Sequence, residues 1–377
     1  MRIGFIEDTH LHGGTQIWVT EAVRAFLDRG HDVSLLAPTE SWVVKQCEDT
    51  EALIFTYDWH EVVREDLTNK KIWTKALRDC DVAICTVHPP RDGFHCSVFA
   101  GRCIKEGGLK THLIPKTGTI VPEYLREFYL PEETIDSSVI AIADFTRQYL
   151  IDTYKIPPEK VALIYQGTDV ERFRSTEEGK REALKRYPLA PGATPILGSI
   201  GSLEPRKGHP ALFQAVAELK NSLLPNLHLM VVGDGPDEEM LKGLVKELGI
   251  EHHVSFFTFT REPKFIFERV DITVLPSLYK EGLPNVLLES MAMSVPTISS
   301  NLGGVPEVVI DDVTGYKVEP GNRVQLTTAI NKLWKNQQKY QQMRKNVRNF
   351  ITGRFNKEIQ FDEFISYFEK VVGKRRL

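Results

Sequence analysis

The sequence has few cysteines, no paired-cysteine motif and no long apolar run. Five cysteines stand at 47, 80, 85, 96 and 103, an odd number without a CxxC pair. That argues against a disulfide framework or a cysteine zinc site and for free thiols in a reducing compartment. No stretch approaches the roughly 18 apolar residues of a membrane span. The opening residues, MRIGFIEDTHLHGG, lack the apolar run of a secretory signal. The expectation is a soluble cytoplasmic protein. Basic residues are not in surplus: 47 Lys and Arg face 51 Asp and Glu, a net charge of −4. Nucleic-acid binders usually carry a basic excess, so no nucleic-acid partner is expected. What is present is an ordinary globular composition, 42% hydrophobic and 26% charged, over 377 residues. At roughly 100–200 residues per domain, that length points to two domains.

Short apolar runs alternate with amphipathic stretches. RIGFI (2–6) reads as a strand, 15–29 as a helix ended by Gly30, and DVSLLA (32–37) as the next strand. That is a βαβ unit, which predicts a parallel sheet. ALIFT (52–56), VAICTV (82–87), THLIP (111–115), VIAIA (139–143) and VALIY (161–165) continue as strands. Helices are expected over 62–77, 97–105 and 145–154, the last capped by Asp144. Parallel strands buried on both faces read as continuous apolar runs, and these do. Residues 166–196 turn polar and irregular, a domain boundary.

A second series follows. Strands are expected at 195–201, 227–233, 253–257, 271–276, 296–300 and 315–320. Helices are expected at 210–221, 237–248, 284–293 and 326–335, and a final one at 357–372. The reading is two successive doubly wound α/β units. Ligands in such folds bind at strand carboxyl ends, and two facing units would make one cleft.

Four loops carry candidate chemistry. In PSLYKEGLPNVLLE (276–289) a strand ends, Glu281 sits in the loop, and a helix starts near Pro284. Free backbone amides of residues 282–286 would form an anion site suited to a diphosphate. Glu281 and Glu289 flank it and could bind hydroxyls. The same two residues also fit a solvated loop and a helix start favoured by the dipole, and spacing alone does not separate these readings. In GSIGSLEPRKG (198–208), Arg206 and Lys207 offer a bidentate and a point-charge contact to phosphate, or form an exposed basic turn. After the first strand, His12-Gly13-Gly14-Thr15 can bring backbone close to a ligand, but it is not a GxGxxG dinucleotide fingerprint. Gly303-Gly304 offers the same close approach after 296–300, and Glu307 could bind a ligand or cap a helix. Gly233-Asp-Gly235-Pro236 reads as a turn.

Other features read as bland. Asp79-Cys-Asp81 precedes a buried strand, at its amino end, so no metal is expected there. His252-His253 should face solvent. Lys70, Lys71 and Lys75 around Trp73 read as a charged helix face. His88 follows 82–87 at a carboxyl end and is an acceptor-side candidate.

Together these residues resemble the family-4 glycosyltransferases, retaining enzymes of the GT-B fold. The resemblance runs nearly the whole chain: Gly13-Gly14, the segment 139–173 with Asp169, Lys207-Gly208, the Glu-x7-Glu pair Glu281 and Glu289, and GGVPEVV (303–309). It implies two Rossmann-like domains, 1–166 with 357–377 on the acceptor side and 167–356 for the nucleotide sugar, facing across a cleft. It implies that Glu289 holds the donor ribose and Glu281 the transferred sugar. Amides near Gly282, Leu283 and Asn285 would take the diphosphate, with Lys207 neutralising it and Gly14 approaching it. No metal or other cofactor is implied, because Lys207 and the helix dipole act on the leaving group. The donor would be a nucleoside diphosphate sugar, UDP-linked by default, and the acceptor a sugar, lipid, small molecule or protein.

Two departures stand out. Ser202 occupies the place of a usual Arg, which Arg206 could replace. The loop Pro115-Lys116-Thr117-Gly118-Thr119 lacks a usual His, which Lys116 or Thr117 could replace. A GT-B epimerase and a non-catalytic nucleotide-sugar or partner-binding member are the rival readings. Peripheral membrane contact, through the Lys70–Lys75 face or the Lys374-Arg-Arg376 tail, stays open.

Overall fold

The computed structural model describes every residue except 12, 63–65, 91, 93, 119–123, 133 and 374–377. It divides into two units, Met1–Tyr165 with Gln360–Leu377, and Gln166–Ile359. Each is built on one parallel sheet.

In the first unit the strands are β1 (Arg2–Ile6), β2 (Asp32–Pro38), β3 (Leu53–Tyr57), β4 (Val82–Thr86), β5 (His112–Lys116), β6 (Val139–Ala141) and β7 (Val161–Leu163). Their order is β3-β2-β1-β4-β5-β6-β7. In the second they are β8 (Ile196–Ile200), β9 (His228–Val232), β10 (Val254–Phe257), β11 (Ile272–Leu275), β12 (Thr297–Ser300) and β13 (Gly315–Val318), ordered β10-β9-β8-β11-β12-β13. Both sheets wind outward one way and then the other. The winding reverses between β1 and β4, and again between β8 and β11. Open α/β sheets bind ligands outside the carboxyl ends of strands at such reversal points.

Both faces of the first sheet are covered. On one face, Phe5, Trp18 and Phe26 pack with Phe361, Phe364 and Phe368 of the final helix, Lys357–Gly373. Trp18 Nε1 donates to Gln360 Oε1 at 3.2 Å. On the other face, Tyr57, Trp73 and Phe99 close a second cluster.

The strand centres match the expectations, and several element ends differ. The helix expected over 62–77 is two helices, Trp59–Val62 and Leu67–Leu77, the second capped by Asp66, which accepts from the Asn69 amide at 2.7 Å. Asp144 does not cap. Ala143 holds that place, and the Thr146 hydroxyl accepts from its amide and donates to its carbonyl. The polar stretch after residue 166 contains the helix Glu177–Arg186, in which only Ala183 is buried. With one buried residue it has almost no apolar stripe to read. The helix Gln337–Arg354 also lies beyond the expectations. Its buried residues, Tyr340, Met343, Val347 and Ile351, are one per turn in an otherwise polar sequence.

The bland features divide. Asp81 Oδ2 accepts from the Arg2 amide at 2.9 Å, so the acidic pair before β4 serves to tie two strands at their amino ends. Trp73 is fully buried, which removes the aromatic from the Lys70–Lys75 face, and Lys70 pairs with Glu106. His252 is exposed, whereas His253 is half-buried with Nδ1 2.8 Å from the Leu227 carbonyl. The 374–376 tail lies outside the described residues. Among the described residues, no helix is long and apolar enough to cross a membrane.

Candidate active site

The candidate donor site sits at the reversal point of the second sheet. After β8 the chain makes a loop ending in a 3-10 turn, Pro205–Lys207, before the helix His209–Ser222. After β11 a second loop leads to the helix Asn285–Ala292. Gly208 joins the two loops. Its φ is +67°, and a Cβ there would fall 2.2 Å from the Pro276 carbonyl oxygen. Only glycine permits both the left-handed backbone and that approach. Beside it, the Leu278 amide donates to the Arg206 carbonyl at 2.7 Å.

This contact brings Lys207 to Glu281. Lys207 Nζ lies 2.6 Å from Glu281 Oε1, and the Ser277 hydroxyl donates to the same oxygen at 2.6 Å. Arg206 Nη1 stands 3.6 Å away. Both partners are mostly enclosed, with side chains 12% and 8% exposed, so bulk water screens the pair weakly. Arg206 is itself held by Glu204, Nε to Oε2 at 2.9 Å. The Ser202 hydroxyl is bonded to that same carboxyl and, with Arg206, holds it below the usual carboxylate range. Ser202 is thus joined to Arg206 through Glu204.

Pro284 occupies the N-cap position with φ −69° and ψ 120°, one residue earlier than the sequence reading placed it. Asn285 is the first helical residue. Among the described residues, the amides of Gly282, Leu283, Asn285 and Val286 donate to no protein acceptor. Leu283 is buried and Asn285 exposed. Unpaired amides at a helix start attract an anion. Glu289, half-buried, follows four residues after Asn285, about 6 Å along the axis.

The neighbouring glycines act on these loops and not as open approaches to a ligand. A Cβ on Gly303, whose φ is +53°, would fall 1.9 Å from the Glu281 carbonyl oxygen, and the Gly304 amide donates to the Gly282 carbonyl at 2.8 Å. The β12 loop therefore buttresses Glu281 from behind. Gly233 and Gly235 likewise press on the carbonyls of Gly201 and Leu203, so that segment is more than a turn. Glu307 lies in a 3-10 turn, Val305–Glu307.

Of the thirteen residues expected in the sites, the structure groups Arg206, Lys207, Ser202, Glu281, Gly282, Leu283, Asn285 and Glu289 in this one place. Gly13, Gly14, His88, Lys116 and Thr117 belong to the other unit, described by itself. Gly13 precedes the helix Gly14–Asp28 in extended backbone (φ −162°) that any residue adopts. His88 Nε2 lies 4.0 Å from Glu7 Oε2. Lys116 ends β5, almost fully buried, with Nζ 4.1 Å above the Trp18 ring; burial, opposed by Glu7, lowers its pKa to about 8. Thr117 is fully buried, and its hydroxyl accepts from the Ile142 amide at 3.1 Å, a bracing contact beside the sheet. Residues the sequence reading missed are Ser277, Glu204, Glu7 and Gln16. Ser277 was signalled by its place four residues before Glu281. The others depend on loop geometry.

His209, behind Lys207, gives a pH test. It is 2% exposed, and burial, reinforced by Lys207, lowers its pKa to about 4 from an ordinary 6.5. A depressed histidine contributes stability above pH 6.5 that is lost as pH falls through 4, because the unfolded chain binds the proton first. Replacing it in a His209→Phe variant should flatten urea-unfolding stability between pH 6.5 and 4 by at most about 3 kcal/mol. Equal pH slopes in wild type and variant would contradict the assignment.

The described fold is the two-domain, parallel-sheet architecture of GT-B glycosyltransferases. Its class is visible in solved structures: a glycosyltransferase from Rickettsia africae shares a TM-score of 0.83 at 19% identity, covering 98% of each chain. Anabaena HepE, solved in complex with UDP, gives 0.83 at 18% identity, covering 97% of this chain and 99% of that one. Residues 180–350 match the family model for Glycosyl transferases group 1. That segment contains the candidate donor site. Among curated proteins, the chain is 30% identical over 210 residues to the GDP-mannose-dependent alpha-(1-6)-phosphatidylinositol monomannoside mannosyltransferase of Mycolicibacterium smegmatis, over 52% of this chain and 53% of that one. It is 28% identical over 256 residues to the Spore coat protein SA of Bacillus subtilis, over 63% and 67%. The chain spans about half the length of the mannosyltransferase it matches.

Proposed function

We propose that the protein is a glycosyltransferase that moves a sugar from a nucleoside diphosphate sugar to an acceptor, with retention at the anomeric carbon and without a metal. The observation that carries this is the Lys207–Glu281 pair beside four unpaired amides at a sheet reversal point. A diphosphate seated on the amides of Gly282, Leu283, Asn285 and Val286 would draw Lys207 from Glu281. The freed carboxylate would then accept from hydroxyls of the transferred sugar, still fixed by Ser277. Glu289, further along the helix, would accept from the ribose hydroxyls. Arg206, held by Glu204, supplies a second positive charge from a different place than Ser202. A UDP-linked donor is favoured by the UDP complex of the structurally similar HepE, and a GDP-linked one remains the competitor named by the mannosyltransferase relative.

The chemistry is mostly electrostatic. As the C–O bond to the diphosphate breaks, negative charge grows on the leaving oxygen, and fixed amides and Lys207 stabilise it. The acceptor hydroxyl attacks from the same face, and its proton passes to the leaving phosphate oxygen. No protein carboxylate is assigned as a covalent nucleophile. The test is NMR of the product of a transferring donor–acceptor pair. The α-linked donor should give an α-linked product, and an inverted product overturns the mechanism. Isomerised donor formed without any acceptor would instead identify an epimerase. The site is proposed for work outside membrane spans, in the cytoplasm, with peripheral membrane contact left to the acceptor's chemistry.

A further inference from the structure

The helix that carries Glu289 is short, eight residues, Asn285–Ala292. Its apolar side, Leu287, Leu288 and Met291, is fully buried. Apolar contacts are non-directional, so they fix the depth of a short helix better than its orientation. The chain that follows closes the carboxyl end of this helix, except at one carbonyl. The Met293 amide donates to the Glu289 and Ser290 carbonyls, the Ser294 amide to Met291, and the Val295 amide to Ser290. The Ala292 carbonyl accepts instead from Arg348 Nη1. A basic side chain there meets the negative end of the helix dipole.

Arg348 reaches further. It lies on the helix Gln337–Arg354, which packs on Asn285–Ala292. Its Nη1 also donates to the Phe173 carbonyl at 2.7 Å, and its Nη2 to the Val170 carbonyl at 2.9 Å. Val170 and Phe173 are buried, and their segment is anchored near both ends of the second unit. The Thr168 amide donates to the Phe355 carbonyl at 2.8 Å, and the Lys357 amide to the Thr168 carbonyl at 2.9 Å. A Cβ on Gly167 would fall 2.8 Å from Lys357 Cα, so glycine permits this approach. Asp169 Oδ1 then accepts from the Glu171 and Arg172 amides at 3.1 and 2.9 Å and turns the chain. Every residue in this series of contacts lies in the second unit.

The three acceptors of Arg348 are all backbone carbonyls. Burial lowers the pKa of its guanidinium, and Glu171, acting through space, opposes this only in part. An apolar residue would fill the place without burying a charge. Lysine carries one nitrogen and cannot span three carbonyls in fixed directions, as the planar guanidinium does. The arrangement suits orientation more than burial. Glu289 stands three residues before Ala292, about 4.5 Å along the axis, so a shift of the helix end moves Glu289 with it.

We propose that Arg348 is a positioning residue for the donor ribose: it holds the Ala292 carbonyl to the Val170–Phe173 segment and so sets where Glu289 meets the ribose hydroxyls. This rests on the reading of Glu289 as the ribose ligand. Arg348 acts through the helix and not on the substrate.

Calorimetric titration of the full chain with UDP, GDP and their 2′-deoxyribose counterparts tests it. Wild type should bind the ribonucleotide about 10-fold tighter than its deoxy form, the usual effect of a hydrogen bond to a charged group. Glu289→Ala should lose that preference. Arg348→Met and Arg348→Lys should each reduce it to about threefold or less. Adding Arg348→Met to Glu289→Ala should change ribonucleotide affinity by less than about twofold, since the two residues act as one. A residue that merely holds the fold would weaken both nucleotide forms alike, or neither. Arg348→Lys keeps the charge, so a folding defect in Arg348→Met does not end the test. A preference lost in Glu289→Ala but kept in either folded Arg348 variant overturns the inference and leaves the donor reading standing. A double variant whose loss is the product of the two single losses does the same. A wild type that binds no nucleotide, or a preference that survives Glu289→Ala, overturns the ribose reading and the inference with it.

Discussion

Lys207→Ala should lower the transfer rate constant about 10²–10³-fold, the usual loss when one group stabilising a leaving oxyanion is removed. The argument rests on position. Lys207 pairs with Glu281, the residue just before the unpaired amides, it is 12% exposed, and that partner is one that a diphosphate would replace. The effect on folding should be much smaller. Removing one member of a buried ion pair can cost about 3–5 kcal/mol. Here Glu281 keeps the Ser277 hydroxyl at 2.6 Å and has Arg206 at 3.6 Å ready to close in. The measurement is single-turnover transfer beside a urea unfolding curve. A rate within threefold of wild type would show that Lys207 does not meet the developing charge.

Gly208→Ala should destabilise the second unit by about 2–5 kcal/mol. Alanine in left-handed backbone costs about 1–2 kcal/mol. The added methyl would also overlap the Pro276 carbonyl, 2.2 Å away, and forced overlap costs about 1–3 kcal/mol more. The chain can relieve this only by separating the two loops that carry Lys207 and Glu281. Nucleotide binding should therefore weaken along with stability. Gly243→Ala is the control, because a Cβ at Gly243 meets nothing within 4 Å and the residue is helical, where alanine is favoured. An unchanged unfolding midpoint in Gly208→Ala would mean that the loops are not locked together at this residue.

The strands were legible because buried parallel strands are apolar without interruption. β1, β4 and β9 appear in the sequence within a residue of their observed ends. The helix Glu177–Arg186 was not, because it buries a single alanine and owes its start to the Thr176 cap, whose hydroxyl accepts from the Gly179 amide at 2.9 Å. Asp144 misled in the opposite way: aspartate is a good cap, but a threonine three residues into the helix capped the preceding alanine instead. In the donor site the residue types and spacing of Glu281, Glu289 and Lys207 were readable. The direct Lys207–Glu281 contact was not, since 74 residues separate them and only the pairing of β8 with β11 brings the loops together.

The central claim is that the loops after β8 and β11 bind a nucleoside diphosphate. Thermal unfolding with UDP, GDP, ADP and dTDP tests it most directly, in wild type, Lys207→Ala and Glu289→Ala. One nucleotide at about 100 times its Kd should add about 2.7 kcal/mol to wild-type stability. Both variants should lose most of that gain. A wild type whose unfolding is unmoved by all four nucleotides, or variants that respond as fully as wild type, would contradict the account.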